Sequence, residues 1–142
     1  MKEINYQFLK NTIKPRPYNA HKGSMGSLLS ICGSYGMAGA EILSAKSALR
    51  TGVGLLRLLI LKSVYPIVAQ VVPEAVFLPV DNGNKSSFGM KNIDTINENI
   101  EKSKALLIGC GLSHNEDTES LVQYIVKSCT IPMVLDADGL NC

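Results

Sequence analysis

The amino-acid sequence predicts an α/β domain with a mainly parallel sheet and helices on each side of it. The predicted strands, for example SLLSIC (27–32) and LLRLLIL (55–61), are continuous apolar runs, a pattern typical of strands that are buried on both faces. Segments with strand character also alternate with segments of helical character along the chain. The length of 142 residues, with 46% hydrophobic and 18% charged residues, is enough for one domain with a real core and argues against disorder.

The sequence divides into a polar N-terminal arm, residues 1–20, and a single domain, residues 21–142. The arm is predicted to be a short helix followed by an extended link, because it ends in two prolines. The apolar runs of the domain predict strands at 27–32, 55–61, 75–80, 105–109 and 132–136. Helical spacing of apolar residues predicts helices at 37–52, 90–103 and 115–129. Gly52 is a typical helix stop, and residues 63–72 are predicted to be a short helix broken near Pro66.

The end of the sequence also bears on the architecture. The last predicted strand ends at Asp136, and only six residues follow it. A parallel crossover needs about a dozen residues. The sequence therefore predicts a truncated α/β domain, or one that is completed by another chain, with a small five-stranded domain as the alternative.

Composition argues against several classes of function. A net charge of +2 and 6% aromatic residues, with no tryptophan, do not suggest nucleic-acid binding through phosphates or base stacking. The most apolar stretch, 52–72, is interrupted by charged residues and a proline, which argues against a membrane span. The polar N-terminus does not resemble a signal peptide. The four cysteines lack C-x-x-C spacing and are predicted to be free thiols of a cytoplasmic protein.

The first candidate site is CGSYGMAGAE, which we call the first glycine segment (residues 32–41). It lies between a predicted strand and a predicted helix. Gly33, Gly36 and Gly39 permit tight turns and close backbone approach, and the helix that follows offers unpaired N–H groups to a phosphate. The G-x-x-G-x-x-G spacing matches neither the dinucleotide fingerprint nor a Walker A loop. A glycine-rich turn that only packs the helix against the sheet remains an equal alternative.

The second candidate site is LLIGCGLSHNED, the second glycine segment (residues 106–117). Gly109 and Gly111 follow a strand, and Ser113 and Glu116 have the spacing of a capping box at a helix start. A plain connection with a capped helix and a ligand-binding loop are equally compatible with this pattern. Because both glycine segments follow parallel strands, we expect them to face one crevice at the carboxyl edge of the sheet.

A third segment, VLDADGLN (134–141), carries two carboxylates and is called the aspartate segment. If the strand continues through it, Asp136 and Asp138 point the same way and are able to hold Mg²⁺ through water or to orient a hydroxyl. The alternative is a turn in which Asp138 caps a helix. Lys22, beside Gly23, either meets a phosphate or is simply solvated, and the second is commoner.

Three ordered motifs resemble those of a known family. The run HKGSMGSLLSICGSYGMAGAEILSAKSALRTGVGLLRL (21–58) resembles the N-terminal signature of the ADP/ATP-dependent NAD(P)H-hydrate dehydratases, members of the ribokinase-like superfamily. LLIGCGL resembles the I-G-P-G-L segment of that family, and VLDADGLN resembles its L-D-A-D-A-L-N segment. Since the order and intervals also fit, the resemblance covers the chain from about Pro15 to its last residue.

The resemblance implies repair of hydrated NADH and NADPH. In that reaction ADP or ATP, with Mg²⁺, drives loss of water from the damaged nicotinamide ring. It also implies that Ala40 and Gly111 line the hydrated dinucleotide. The other glycines expected beside the substrate are Gly36, Gly39 and Gly109. The residues expected to contact a metal ion or a hydroxyl are Asp136, Asp138 and Asn141. We further expect a homo-oligomer.

The departures from the family pattern limit this expectation. That pattern continues with a T-P-H-P-G-E segment, a lysine-glycine nucleotide-binding segment and a G-[ST]-G-D loop with the catalytic aspartate, none of which occurs in these 142 residues. We therefore expect only the N-terminal half of a ribokinase-like domain, with no catalytic residue and no turnover by the isolated chain. Smaller departures are Cys110 and Ala38 in place of proline and Gly139 in place of alanine.

Three other classes of protein remain as alternatives. A ribokinase-like kinase of a vitamin or sugar alcohol would share the sheet and the glycine segments. A non-catalytic binding or scaffold domain would use its open sheet edge to dimerise. A Rossmann dehydrogenase is disfavoured, because the first glycine segment lacks its fingerprint and no acidic residue ends the second strand.

Overall fold

The computed structural model of the protein describes residues 3–142. The strands of this region are β1 Ser27–Ile31, β2 Leu55–Leu61, β3 Val76–Val80, β4 Ala105–Ile108 and β5 Met133–Leu135. Its α-helices are α1 Tyr6–Thr12, α2 Ala38–Thr51, α3 Tyr65–Ala69, α4 Ile93–Glu101, α5 Glu116–Ser128 and α6 Asp138–Asn141. Each predicted strand is present, with bounds that differ from the prediction by one residue at most at either end.

The five strands form one parallel sheet in the order β3-β2-β1-β4-β5. The prediction of a parallel sheet flanked by helices is therefore confirmed. Strand β1 lies in the centre, with Ile31 paired to Leu59 of β2 on one side and to Ile108 of β4 on the other. The chain moves outward from β1 to β2 and β3 and then returns to the other side of β1 as β4. The gap between β1 and β4 at the carboxyl edge is thus a topological switch point, where open α/β sheets bind ligands.

The hydrophobic core lies on both faces of the three inner strands. Leu29 and Ile31 of β1, Leu58 and Leu59 of β2 and Leu106 of β4 are fully buried. This explains why these strands are continuous apolar runs in the sequence: no face of them is exposed to water. The rigid core fixes the carboxyl ends of β1 and β4 relative to each other, and the loops that follow these ends build the candidate site.

Helix α2 ends as the sequence predicts. Gly52 has a φ of 105° and its N–H donates to the carbonyl oxygens of Ala48 and Leu49, which is the left-handed C-terminal cap that favours glycine. The prediction for residues 63–72 was wrong in one respect. Pro66 does not break a helix there but lies in the first turn of α3, where its missing N–H costs no intrahelical hydrogen bond.

The predicted capping box of Ser113 and Glu116 is also wrong. The N-cap of α5 is Asn115, whose side chain accepts hydrogen bonds from the N–H groups of Asp117 and Thr118. The hydroxyl of Thr118 in turn accepts a hydrogen bond from the N–H of Asn115. Ser113 instead adopts a left-handed backbone with a φ of 71°. Asn115 caps the helix in place of Ser113 because the chain turns at Ser113, two residues before the cap.

The N-terminal arm contains α1, none of whose residues is buried. Arg16, in the link that follows it, donates a hydrogen bond to the carbonyl oxygen of Gly52 at 2.9 Å and so attaches the arm to the end of α2. The boundary at residue 20 stays a prediction. All four cysteines are free thiols. Within residues 3–142, no helix combines the length and the apolar character that a bilayer span requires.

Candidate functional site

The first glycine segment turns sharply as it leaves β1. Gly33 and Gly36 have φ values of 73° and 87°, so both use the left-handed region that favours glycine. The N–H of Gly33 donates to the carbonyl oxygen of Cys110 at 2.8 Å, and the N–H of Tyr35 donates to the carbonyl oxygen of Ser86 at 2.8 Å. The segment is therefore held on one side by the second glycine segment and on the other by the loop before α4.

The two glycine segments meet at Ala40 and Gly111. A Cβ atom built on Gly111 would lie 2.6 Å from the Cβ of Ala40 and 3.3 Å from the Cβ of Met37. The hydroxyls of Ser34 and Ser113 are 3.0 Å apart across the same gap. The structure thus brings Ala40 and Gly111 into direct contact at the β1–β4 switch point. A ligand crevice at this point would run along the carboxyl edge beside the contact, with both residues in its lining.

Glycines of the two segments differ in how much space surrounds them. At Gly36 and Gly39 a Cβ atom would meet no other atom within 4 Å, so their backbone is open to a ligand. Gly109 is buried, and a Cβ there would lie 1.9 Å from the carbonyl oxygen of Asp136. Gly109 therefore lets the aspartate segment pack against the end of β4. Direct contact of these three glycines with substrate stays a prediction.

The aspartate segment does not continue the strand. Strand β5 ends at Leu135, Ala137 has a φ of 47°, and Asp138 is the first residue of α6. The interpretation of Asp136 and Asp138 as a parallel pair along one strand is therefore wrong. The alternative of a turn is correct, but Asp138 does not cap the helix, since the N-cap residue of α6 is Ala137. The chain forms a turn here because the positive φ of Ala137 reverses the direction of the backbone after β5.

Both carboxylates nevertheless reach the second glycine segment. The Asp138 carboxylate accepts a hydrogen bond from the N–H of Ser113 at 2.9 Å, which holds that left-handed residue in place. The Asp136 carboxylate accepts a weak hydrogen bond from the Cys110 thiol at 3.5 Å. Asn141 is the last residue of α6 and is exposed. Contact of these three residues with a metal or a hydroxyl stays a prediction.

An apolar cavity adjoins the first glycine segment on the β2 side. It has a volume of about 370 Å³ and is lined by Tyr35, Gly36, Ala38, Gly39, Ser63, Val64 and Ile67. A more polar groove of about 500 Å³ lies between the loop before α4 and the start of α5, where Lys85 forms an ion pair with Asp117. The carboxyl edge of the sheet therefore offers room for an extended ligand.

Lys22 lies away from this edge. A Cβ built on Gly54, just before β2, would lie 1.9 Å from the carbonyl oxygen of Lys22. Lys22 therefore packs at the amino edge of the sheet, opposite the glycine segments. Lys22 is therefore not part of the crevice beside the glycine segments, because the chain must cross the whole length of β1 between them. Whether Lys22 meets a phosphate elsewhere or is simply solvated stays a prediction.

One residue of the site was not singled out from the sequence: Glu41, in the first turn of α2. Its side chain is 0% exposed. The hydroxyl of Ser30 donates to its Oε1 at 2.9 Å, and the N–H of Cys32 donates to its Oε2 at 3.1 Å. Burial raises the pKa of Glu41 to about 8, although the two hydrogen bonds act in the opposite direction. Burial also raises the pKa of the Cys32 thiol, and the nearby Glu41 carboxyl raises it further.

A signal for Glu41 does exist in the sequence. It precedes Ala45, a fully buried residue, by one helical turn, so the two lie on the same face of α2. A glutamate in a first turn is normally taken as a solvated residue that suits the helix dipole. Because a solvated side chain is the usual expectation at such a position, the sequence alone did not indicate that Glu41 is buried.

A comparison with known proteins connects this geometry to a family. The family model for NAD(P)H-hydrate dehydratase matches residues 28–142. This chain belongs to the NAD(P)H-hydrate dehydratase family. It is 34% identical over 140 residues to a bifunctional NAD(P)H-hydrate repair enzyme from Dictyoglomus turgidum, a match that covers 97% of this chain and 27% of that enzyme.

Solved structures agree with this membership of the dehydratase family. An ADP/ATP-dependent NAD(P)H-hydrate dehydratase from Bacillus subtilis, co-crystallised with ATP and Mg²⁺, is 26% identical with a TM-score of 0.72 over 94% of this chain and 45% of its own. A ribokinase-like superfamily protein from Enterococcus faecalis has a TM-score of 0.76 over 99% of this chain and 50% of its own, at 17% identity. The ribokinase-like fold is confirmed, and the chain spans half or less of these relatives.

Proposed function

We propose that hydrated NADH or NADPH binds in the crevice at the carboxyl edge of the sheet, against the surface where Ala40 and Gly111 touch, and that the protein takes part in their ADP- or ATP-dependent dehydration. The observation that carries this proposal is the direct approach of the two glycine segments at the switch point, with a Cβ-to-Cβ gap of only 2.6 Å if Gly111 had a side chain. It is supported by membership of the dehydratase family and by the names of the relatives.

The small residues of the crevice account for dinucleotide binding in physical terms. Alanine at position 40 and glycine at position 111 leave the backbone accessible, so that a bulky ring is able to approach the amide groups closely. Helix α2 spans 14 residues, and its N-cap residue, Met37, makes no side-chain hydrogen bond to the first turn. The uncapped N–H groups and the positive end of the helix dipole therefore favour an anionic group such as the pyrophosphate.

The proposed reaction also needs a phosphate donor and residues that are able to hold Mg²⁺. In the proposed reaction the terminal phosphoryl group of ADP or ATP moves to the hydroxyl that water added to the nicotinamide ring, and AMP or ADP leaves. The bond between the ring carbon and the phosphate oxygen then breaks while a proton leaves the neighbouring carbon, which restores the double bond. Within the described residues, no three acidic, histidine or cysteine side chains converge as a metal site. Mg²⁺ is usually held by donor phosphates, waters and one or two carboxylates. The exposed Asp136 fits that limited role, while Asp138 is engaged by Ser113.

Binding of hydrated NADH tests the proposed function, since the chain spans less than half of the solved dehydratase. We expect Ala40→Val to weaken binding at least about tenfold by calorimetry, because its added methyl groups project from the contact with Gly111 into the space that the ligand needs. Ser47→Val serves as a control, because it places the same side chain on the exposed face of α2. Equal affinity in all three proteins would contradict the proposal, and binding of a vitamin alcohol in place of the hydrate would favour a small-molecule kinase.

Two properties of the whole protein complete the proposal. We infer self-association, because the edge strand β5 and helix α6 expose Val134 and Leu140 at 59% and 66%. Light scattering checks it, and a monomer at high concentration would exclude it.

We also infer that the protein acts in the cytoplasm, since its four thiols are free and NADH is used there. Cell fractionation checks this second inference.

A further inference from the structure

We propose that Glu41 is a positioning residue: its proton keeps the first glycine segment in the shape seen here, and loss of that proton loosens the crevice. The effect on the segment follows from geometry alone. The effect on ligand affinity rests on the proposed function, because it assumes that the dinucleotide binds against Ala40 and Gly111.

Glu41 connects the helix to the strand directly beneath the first glycine segment. One carboxyl oxygen is 2.9 Å from the Ser30 hydroxyl in β1, and the other is 3.1 Å from the Cys32 nitrogen at the start of the segment. A Cβ atom on Gly33 would lie 3.1 Å from the Cβ of Glu41, so the turn rests against this side chain. Any movement of the carboxyl group is therefore transmitted to Cys32 and Gly33.

Glu41 also follows Ala40 in the chain. Ala40 forms one wall of the crevice, and its Cβ faces Gly111. Because both residues belong to the first turn of α2, a shift of Glu41 within its pocket moves Ala40 with it. Ala40 and Gly111 already touch, so a displacement of a few tenths of an ångström changes the surface that they offer to a ligand.

Among the described residues, Glu41 has two hydrogen-bond donors beside it but no positively charged partner. The groups that face it are the Ser30 hydroxyl and the Cys32 thiol and N–H from β1 and the segment, with the Cys110 thiol next to Cys32 from the β4 side. In residues 3–142 no lysine, arginine or histidine forms an ion pair with Glu41. An ionised carboxylate in this place has two hydrogen bonds and no counter-ion, which is costly at full burial.

The two protonation states therefore differ in the shape they favour. In the neutral form the hydrogen bond to Ser30 reverses: the carboxyl donates its proton to the Ser30 oxygen and still accepts from the Cys32 N–H, so both contacts persist without charge. In the ionised form the charge is relieved by water, which has to enter between β1 and the start of α2. Entry of water there separates the first glycine segment from the strand and displaces Ala40 from Gly111.

Hydrogen exchange of three amides in the segment tests the proposal without any ligand. The N–H groups of Gly33, Tyr35 and Met37 are hydrogen-bonded to Cys110, Ser86 and Ser34. After correction for the intrinsic pH dependence of exchange, we expect their protection in the wild-type protein to fall about tenfold between pH 6.5 and pH 9. Glu41→Gln should keep its protection at both pH values, since the amide side chain replaces both hydrogen bonds without a titrating group.

The controls separate positioning from general loss of structure. Glu116→Gln changes a first-turn glutamate that is exposed in α5, and it should follow the wild-type profile. If Glu41→Gln does not fold, a carbon-13 titration of the Glu41 carboxyl in the wild-type protein, recorded together with the amide shifts of Gly33, gives the same answer. Protection or shifts that do not change with titration of Glu41 would overturn the proposal.

Ligand binding then separates this inference from the proposed function. We expect hydrated NADH to bind the wild-type protein several-fold more weakly at pH 9 than at pH 6.5, and Glu41→Gln to bind with similar affinity at both. Absence of binding at either pH would reject the proposed function and leave the exchange result standing. A pH-independent affinity in the wild-type protein, with a segment that still loosens, would reject the link between Glu41 and the ligand.

Discussion

Replacement of Gly109 by alanine is expected to lower the free energy of unfolding by about 3 kcal/mol or more. Two effects act together at this position. The added Cβ atom would lie 1.9 Å from the carbonyl oxygen of Asp136, and the backbone φ of 128° is one that alanine rarely adopts. The neighbour is backbone, so it cannot rotate away as a side chain would. Urea denaturation followed by circular dichroism measures the loss.

Gly36→Ala is the matched control for this prediction. Gly36 also has a positive φ, 87°, but a Cβ atom there would meet nothing within 4 Å. Gly36→Ala should lower the free energy of unfolding by about 1–2 kcal/mol, because backbone strain is the only effect at this position. If both variants lose the same stability, the contact between Gly109 and the aspartate segment contributes nothing, and the packing described for the end of β4 is incorrect.

The second large effect is expected in the pH dependence of stability. The folded protein holds the proton of Glu41 up to about pH 8, whereas the ordinary pKa of a glutamate is 4.5. Between these values the unfolded chain releases its proton and the folded chain does not, so the free energy of unfolding falls as the pH rises. The contribution lost across this window is about 5 kcal/mol at most, at about 1.4 kcal/mol for each pH unit.

Glu41→Gln should therefore be the more stable protein at alkaline pH. Its amide does not titrate, so its stability should vary less between pH 5 and pH 9 than that of the wild type, and the two curves should diverge by a few kcal/mol. Urea denaturation at several pH values measures the difference. Glu116→Gln, exposed in the first turn of α5, should not diverge. A wild-type curve that runs parallel to that of Glu41→Gln would refute the prediction.

Much of the fold was predictable because burial leaves a direct trace in the sequence. Strands that are covered on both faces must be apolar throughout, and the runs around Leu29, Leu58 and Leu106 mark them clearly. Gly52 marked the end of α2 because only glycine adopts its backbone easily. The strand order was not predictable, since the pairing of β1 with β4 joins residues that are distant in sequence.

The site was predictable only in part. Resemblance to the dehydratase family pointed to Ala40 and Gly111, and the structure brings these two together. At Asp138 the local pattern left a strand and a turn open, and the aspartate segment that reverses at Ala137 packs against Gly109, a contact that the local sequence does not show. The local pattern failed at Ser113 for a similar reason, since that residue's left-handed backbone is held by Asp138 from another part of the chain. Tertiary contacts thus override local preference at the places where the segments meet.

The contact between Ala40 and Gly111 also means that the two positions share a single small volume. The left-handed backbone of Gly111, with a φ of 68°, already favours glycine there. The size allowed at position 40 therefore depends on position 111, because space taken by one side chain is removed from the other. The width of the crevice is therefore a joint property of β1 and β4 and their loops. Since position 111 is already glycine, a relative that carries a larger residue at position 40 has to shift one of the two loops or take a narrower ligand.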